Sequence, residues 1–598
     1  MATKTEHTSS PDGEEPTATI EKIVEQSQRI VTDFIVRQGD AKALEYDPLN
    51  IGSAFSDITR RMMADPARLA RAQVDLWNSH VGLWQQTANR MMGQEAKTLA
   101  EPDEDDNRFS DAAWQEHPVF DYIKQSYLLT SKWVIDTVCE TDGMDDETAR
   151  KAGFYTRQFV DAMAPTNFAL TNPQVLQETI DTQGQNLVNG LSNLLEDLER
   201  GKGQLAIKHV EPDAFEIGKT VATTPGKVVF QNELFQLLQF APSTDKVRKT
   251  PLLIVPPWIN KYYILDLREK NSFIKWAVDQ GHTVFIVSWV NPDEKLALKT
   301  FEDYMLDGPV AAIGAACQAA GTDKVNVIGY CIGGTMTAVA LAYMSEKGDD
   351  RVASATFFTT LVDFEEPGEL GVFIDEEQIS SLEEKMGERG YLEGSEMATT
   401  FSMLRANDLI WTFVINNYLM GKEPFPFDLL FWNADATRMP AMMHSYYLRK
   451  MYQANALVQP GGLELGGVKI DLRKIKVPVY ILSTKEDHIA PWKSTYAATQ
   501  LYNGNTTFVL ASSGHIAGVV NPPVSDRYSY RTNTKKPDTP DAWLDSAKEH
   551  PGSWWPHWDK WVNKHSGGQI AARQPGKGKL RAIEDAPGSY VMVRSDKD

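Results

Sequence analysis

The pattern Gly329-Tyr-Cys331-Ile-Gly333 follows the apolar run Val325-Asn-Val-Ile328 and leads into Gly334-Thr-Met-Thr-Ala-Val-Ala-Leu-Ala342. A strand, a Gly-x-Cys-x-Gly turn and a helix in that order make a nucleophile elbow with cysteine in the place of serine. The glycines permit a sharp turn that exposes the Cys331 side chain at the carboxyl end of its strand. The N-terminus of the helix below favours negative charge on that sulfur. Of the three cysteines, Cys139 in Trp-Val-Ile-Asp-Thr-Val-Cys and Cys317 in Ala-Ala-Ile-Gly-Ala-Ala-Cys read instead as small core residues.

An elbow calls for a carboxylate and then a histidine, each just past a strand. Asp487 closes Val477-Pro-Val-Tyr-Ile-Leu-Ser-Thr-Lys-Glu-Asp487, and His515 follows Thr507-Phe-Val-Leu-Ala-Ser-Ser-Gly514. Of the eleven histidines, His515 alone follows a late strand downstream of an acid that is also at a strand end. His488 is the nearest rival, but its neighbour Asp487 would be badly placed to orient it. Cys331, His515 and Asp487 are therefore the candidate nucleophile, base and acid of an acyl transfer through a cysteine thioester. The oxyanion hole falls to the backbone N–H of Ile332 and to a second donor on Val255-Pro-Pro-Trp-Ile-Asn-Lys261. Pro256 and Pro257 have no N–H, which leaves Trp258 or Ile259.

Positioning these residues takes a sheet. From about residue 205 short β-branched runs alternate with helical stretches, and the candidate strands are 228–231, 252–255, 283–289, 325–330, 355–360, 477–483 and 507–511. Such alternation predicts a doubly wound parallel sheet. With the elbow it predicts an α/β-hydrolase fold with a cap insertion, preceded by a helical N-terminal domain. The cap is the stretch from Asp363 to about Leu448, where the alternation lapses into an aromatic, Met-rich segment containing Phe401, Trp411, Phe413, Tyr418, Phe425, Phe427, Phe431 and Trp432.

The expected domains are a disordered tail at 1–17, a helical domain at 18–205, a catalytic domain at 206–565 with its cap at 363–448, and a C-terminal tail at 566–598 to which no task attaches. In the helical domain Ile20, Ile23, Val24, Ile30, Val31 and Phe34 recur at helical spacing. Asp65-Pro66 announces a second helix carrying Val74, Trp77, Val81, Trp84, Ala88 and Met91 on one face. That face suits packing within the domain, or docking against another protein or a hydrophobic surface. The acidic run 101–106 reads as a solvated linker.

Composition narrows the class. A chain of 598 residues, 42% hydrophobic, is too large for a small binding module and carries enough apolar residues for a large core. With 60 Lys and Arg against 81 Asp and Glu, the net charge of −21 argues against a protein that coats nucleic acid. Three scattered cysteines fit neither a disulfide framework nor a metal site, and a reducing compartment is expected. The N-terminus lacks the blocks of a signal peptide and no apolar run approaches ~20 residues, so a soluble cytoplasmic protein without a transmembrane segment is expected.

Further motifs surround the elbow: Val255-Pro-Pro-Trp-Ile-Asn-Lys-Tyr-Tyr263, Ser288-Trp-Val-Asn-Pro-Asp293, Leu404-Arg-Ala-Asn-Asp-Leu-Ile-Trp411, Phe431-Trp-Asn-Ala-Asp435 and Pro551-Gly-Ser-Trp-Trp-Pro-His557. Arg108-Phe-Ser-Asp-Ala-Ala-Trp114 and Pro165-Thr-Asn-Phe168 precede them. In these the chain resembles, from about residue 105 to 565, the polyhydroxyalkanoate synthases, especially the single-subunit class I type that polymerises short 3-hydroxyacyl-CoA thioesters. The resemblance implies that Cys331 carries the acyl chain, that His515 activates it and that Asp487 assists. It also implies that Arg405 helps hold CoA, with Asn260 and His488 as further candidate substrate contacts, and that 363–448 is a mobile cap.

The same resemblance implies a homodimer on cytoplasmic storage granules, with the N-terminal region attaching to the granule or to granule-associated proteins. The partners are then the 3-hydroxyacyl-CoA, probed as 3-hydroxybutyryl-CoA, and the growing polyester chain. No cofactor or metal is expected, CoA being part of the substrate and a product. The alternative on the same residues is a cysteine hydrolase, a thioesterase, esterase or depolymerase, which differs only in its acceptor; a non-catalytic granule scaffold is a third.

Overall fold

The structure, a computed structural model, describes residues 60–61, 65–103, 106–141, 143–203 and 205–595. The tail expected at 1–17 and the amphipathic stretch from Ile20 to Phe34 lie outside the described residues. The chain divides into two compact units, Met1–Glu211 with Phe401–Phe425, and Pro212–Thr400 with Pro426–Asp598.

The first unit is helical. Its main helices are α1 (Pro66–Met91), α2 (Pro118–Cys139), α3 (Asp146–Ala162), α4 (Pro173–Asp181) and α5 (Gln185–Arg200). Three of them open on proline behind a capping side chain: Asp65 accepts from Arg68 N at 3.0 Å, His117 from Val119 N at 3.3 Å and Asn172 from Gln174 N at 3.0 Å. Proline costs nothing at that position because its missing N–H would have had no partner in the helix. Trp133 of α2 donates its indole N–H to Ala72 O of α1 at 2.8 Å, and Gln125 donates to Gln86 at 3.3 Å. The side of α1 that packs is therefore the one with Leu83, Gln86 and Thr87, while Val74, Trp77, Trp84 and Met91 are 57%, 71%, 66% and 62% exposed. At 101–106 the expected solvated linker ends in structure: Asp106 caps a short 3-10 helix and pairs with Arg108, whose guanidinium also reaches Asp161 at 2.8 Å.

The stretch 363–448, expected to be one cap, is divided: its residues 401–425 belong to the first unit. The reason is a set of close backbone contacts with α5. Asn186 and Asn193 donate their side-chain amides to the carbonyls of Leu419 and Asn417 at 2.8 and 3.0 Å, and Asn417 donates in turn to Lys208 O at 2.9 Å. Gly190 lies so close to Tyr418 that a β-carbon there would stand 1.8 Å from its carbonyl oxygen.

The second unit is built on one eleven-stranded sheet. Its strands are β1 (Gly226–Gln231), β2 (Phe235–Phe240), β3 (Leu252–Val255), β4 (Val284–Trp289), β5 (Val325–Tyr330), β6 (Val352–Phe358), β7 (Val479–Thr484), β8 (Thr506–Ala511), β9 (Ser529–Thr532), β10 (Lys548–Pro551) and β11 (Glu584–Asp585). They lie in the order β10-β9-β8-β7-β6-β5-β3-β4-β2-β1-β11. The six from β8 to β4 are parallel, and antiparallel strands extend both sides. The parallel strands are covered on both faces, which is why Leu252-Leu-Ile-Val255 is uniformly apolar and fully buried. From β3 the chain passes to β4 on one side and then to β5 on the other, so β3 and β5 flank the switch in strand order where ligands of such sheets sit.

All seven expected strands are present within a few residues; β2, β9, β10 and β11 were not expected. In β2, Phe235-Gln-Leu-Leu-Gln-Phe240 neither alternates nor runs unbroken, because Gln236 and Gln239 are buried; Gln236 donates to Gln231 at 2.8 Å and Ser589 at 3.0 Å. The others are short and polar. The expected C-terminal tail is corrected as well: β11 pairs with β1, and Gln569–Ala571 pairs with Lys246–Arg248, so residues beyond 565 are part of the second unit.

Candidate active site

β5 ends at Tyr330 and the helix α6 (Ile332–Glu346) begins two residues later, so Cys331 alone makes the turn. Its φ of 51° and ψ of −125° are adopted rarely by residues with a β-carbon, at a cost on the order of 1–3 kcal/mol that the surroundings must enforce. They do so through Cys331 N, which donates to Phe358 O at 2.9 Å, and through its carbonyl, which accepts from Gly334 N and Thr335 N at 2.9 and 3.1 Å. A β-carbon on Gly329 would stand 2.5 Å from Gly334 Cα, and one on Gly333 would stand 2.4 Å from Pro256 O. The first approach lets α6 sit on β5; the second presses the elbow against the loop that follows β3.

Asp487 and His515 leave the sheet from the neighbouring strands β7 and β8, whose ends lie level, Thr484 opposite Ala511. Their loops are bonded to each other by Lys485 N to Ala511 O at 2.8 Å and Glu486 N to Ser513 O at 3.0 Å. Asp487 Oδ2 lies 2.7 Å from His515 Nδ1, while Oδ1 accepts from Ile489 N and Ala490 N at 2.9 and 2.8 Å. On its other side His515 is close enough to Cys331 for the charge of a thiolate there to act on the imidazole. Burial alone would lower the pKa of His515, but the charges of Asp487 and Cys331 and the bond to Asp487 outweigh it and push the imidazole up to about 10.

The histidine is held from both sides. Its ring stacks on Tyr330 with centroids 5.9 Å apart, and the Tyr330 hydroxyl donates to His515 O at 3.3 Å. Just beyond it, the carbonyls of Gly518 and Val519 accept from the indoles of Trp554 and Trp555, both at 2.9 Å. The Pro551–His557 motif, visible in the sequence without a role, thus supports the histidine loop.

Ile332 is the first residue of α6, so its N–H has no acceptor within the helix and is available at the elbow. Trp258 is on the facing loop: its carbonyl accepts from Thr437 Oγ1 at 2.7 Å, and its buried indole packs edge-on against Trp289 at 5.8 Å and Tyr304 at 5.5 Å. Aromatic residues that the sequence did not single out complete the surroundings. Burial, with the Cys331 charge adding to it, raises the pKa of the Tyr447 and Tyr452 phenols. Phe364 packs on Tyr452 at 4.9 Å and on Tyr447 at 6.1 Å.

The structure thus brings Cys331, His515 and Asp487 together, with Ile332 and Trp258 on the two elements that meet at Gly333 and Pro256. Each of the other candidates has surroundings of its own. Asn260 is buried with φ 59° and donates its amide to Trp432 O and Asn433 O, both at 3.0 Å, which shapes the loop. His488 is half-buried next to Asp487, and its carbonyl accepts from Glu369 N at 3.1 Å. Arg405 is in the first unit, exposed and paired with Asp408 at 2.8 Å.

Comparison with known proteins agrees with this architecture. Residues 105–277 match the family described as poly-beta-hydroxybutyrate polymerase (PhaC) N-terminus, and residues 251–522 match the alpha/beta hydrolase fold. The poly(3-hydroxyalkanoate) polymerase subunit PhaC of Rhizobium etli is 48% identical over 564 residues, 93% of this chain and 88% of that one. The chain belongs to the poly(3-hydroxyalkanoate) polymerases. The subunit PhaC of Rhizobium meliloti is 49% identical over 541 residues, 90% of this chain and 88% of its own, and that of Cupriavidus necator 44% over 536 residues, 89% of each. Membership in these polymerases makes the chain an acyltransferase-type enzyme on an α/β-hydrolase fold, and selects polymer synthesis over the hydrolase alternative.

Proposed function

We propose that this polymerase joins (R)-3-hydroxyacyl-CoA units, 3-hydroxybutyryl-CoA among them, into a polyester carried on Cys331. The observation that supports it most is the grouping in which His515 is bonded to Asp487 at 2.7 Å and faces the Cys331 elbow closely enough to feel a thiolate charge there.

In the first half-reaction His515 holds the proton of Cys331, and the sulfur attacks the carbonyl carbon of the CoA thioester. The developing oxyanion is met by the N–H groups of Ile332 and Trp258. Collapse breaks the carbon–sulfur bond to CoA, which leaves with the proton from His515. In the second half-reaction a 3-hydroxyl gives its proton to His515 and attacks the acyl group on Cys331. A carbon–oxygen ester bond forms, the carbon–sulfur bond to Cys331 breaks, and the proton returns to the sulfur. Exchange of one thioester for another is nearly thermoneutral and formation of the oxoester is downhill, so the cycle runs towards polymer using no group beyond the CoA it releases. The aromatic walls of Tyr447, Tyr452, Phe364 and Trp258 favour the chain hydroxyl over water as acceptor.

The exposed apolar side of α1, with Trp77 and Trp84, is suited to holding the enzyme on its hydrophobic product, a cytoplasmic storage granule. Among the described residues no helix is long and apolar enough to cross a membrane, and surface contact suffices for such attachment. A homodimer follows from the family resemblance and is checked by light scattering. The reaction itself is tested by incubation with 3-hydroxybutyryl-CoA and a thiol reagent. Free CoA with insoluble polyester is the expected result; free CoA with soluble 3-hydroxybutyrate identifies a hydrolase, and no CoA release rejects both.

A further inference from the structure

The loop Pro256–Lys261, which carries Trp258, is fastened at its far end by a buried charge. Lys261 Nζ lies 2.8 Å from Asp435 Oδ1, with side chains only 4% and 1% exposed. Asp435 Oδ2 also accepts from the Tyr263 hydroxyl at 2.9 Å, and Lys261 O accepts from the Trp432 indole at 2.7 Å. A buried ammonium needs more than one acceptor to offset its lost hydration. A second one comes from the far end of the chain: Val591 O accepts from Lys261 Nζ at 2.7 Å.

Nothing in the composition of the last thirty or so residues suggests this, yet they are firmly seated. β11 pairs with β1, and Tyr590 donates its hydroxyl to Asn232 O at 2.8 Å and its N–H to Gln236 Oε1 at 3.1 Å. Ser595 Oγ donates to Ala436 O at 2.8 Å, one residue beyond Asp435. The terminal segment therefore grips both partners of the ion pair, Lys261 through its ammonium and Asp435 through its neighbour.

We infer that residues 589–595 are a strap that positions the Trp258 loop against the Cys331 elbow, acting through Val591 and Lys261. Lys261 and Val591 are positioning residues that touch no reacting atom. Oxyanion donors act only if fixed before the charge develops, so a loosened loop lowers turnover while leaving the thiol, the histidine and substrate capture in place. The inference rests on the proposed use of Trp258 as a donor in the Cys331 reaction.

Full-length Lys261→Gln and a chain ending at Gly588 are compared with the wild type for CoA release from 3-hydroxybutyryl-CoA, alkylation of Cys331 by iodoacetamide, and amide hydrogen exchange. The expected result is a kcat lower by about 10²-fold or more in both variants. KM and the alkylation rate should stay within about threefold, and exchange should quicken at residues 258–262 but not in α6. If the shortened chain does not fold, Lys261→Gln decides alone. The inference is overturned if Lys261→Gln keeps kcat within about threefold, or if its alkylation rate falls in proportion to kcat, as a general loosening would require. Failure of the underlying reading looks different: Cys331→Ala would then still release CoA.

Discussion

Asp487 Oδ2 lies 2.7 Å from His515 Nδ1. The two residues come from loops after adjacent parallel strands, and those loops are tied by the bond from Glu486 N to Ser513 O at 3.0 Å. The carboxylate is also turned by two backbone N–H groups, those of Ile489 and Ala490. This fixes the orientation of His515: Nδ1 faces the acid, which leaves Nε2 for Cys331 in the proposed reaction.

Asp487→Asn separates the two half-reactions. A thiol yields its proton more readily than an alcohol, so loading of Cys331 needs the carboxylate less than elongation does. Rapid-quench kinetics should show acyl-enzyme formation slowed by less than about tenfold, and steady CoA release slowed by about 10²–10³-fold. Equal slowing of both steps would show that Asp487 only orients the histidine.

His515 also links stability to pH. Its pKa is raised to about 10 in the folded protein, against about 6.5 for a free imidazole, so the folded state holds the proton more tightly. Its stabilising contribution is complete below about pH 6.5 and is lost as pH rises through about 10. The stability gap between wild type and His515→Gln in urea denaturation should therefore narrow between those values and be flat below them. A gap that widens with pH would mean that His515 is neutral in the native state.

Trp77→Ser with Trp84→Ser tests the exposed side of α1. Both side chains are more than half exposed, so the double variant should fold and turn over soluble substrate as the wild type does. Its partition onto isolated polyester granules should fall by about 10²-fold or more, in line with the burial of two large aromatic groups at about 1.5 kcal/mol or more each. Unchanged sedimentation with granules would assign attachment to another surface.

The α/β-hydrolase fold, the elbow at Cys331 and the meeting of Asp487 with His515 were largely legible in the sequence, and for a physical reason. An elbow needs glycine where helix, strand and neighbouring loop come within contact distance, so Gly329 and Gly333 mark Cys331 without any structure. Asp487 and His515 follow because parallel strands with both faces buried read as apolar runs whose ends are easy to locate. Less legible were elements held by side chain to backbone bonds. The segment 401–425 joins the helical unit through asparagine amides on α5, and no periodicity reports such bonds. Strand β2 was hidden by two buried glutamines, and the strands β9 and β10 by their polar residues. The exposed face of α1 could not be told from a core face, since an apolar stripe has the same spacing whichever surface it meets.

The claim that the acyl chain is carried on Cys331 is tested most directly by trapping it. The enzyme is mixed with 3-hydroxybutyryl-CoA for milliseconds, quenched in acid, digested and examined by mass spectrometry. A 3-hydroxybutyryl thioester is expected on the peptide containing Cys331, absent in Cys331→Ala together with CoA release, and present in Cys139→Ala and Cys317→Ala. An acyl group on any other residue, or CoA release that persists in Cys331→Ala, would contradict it.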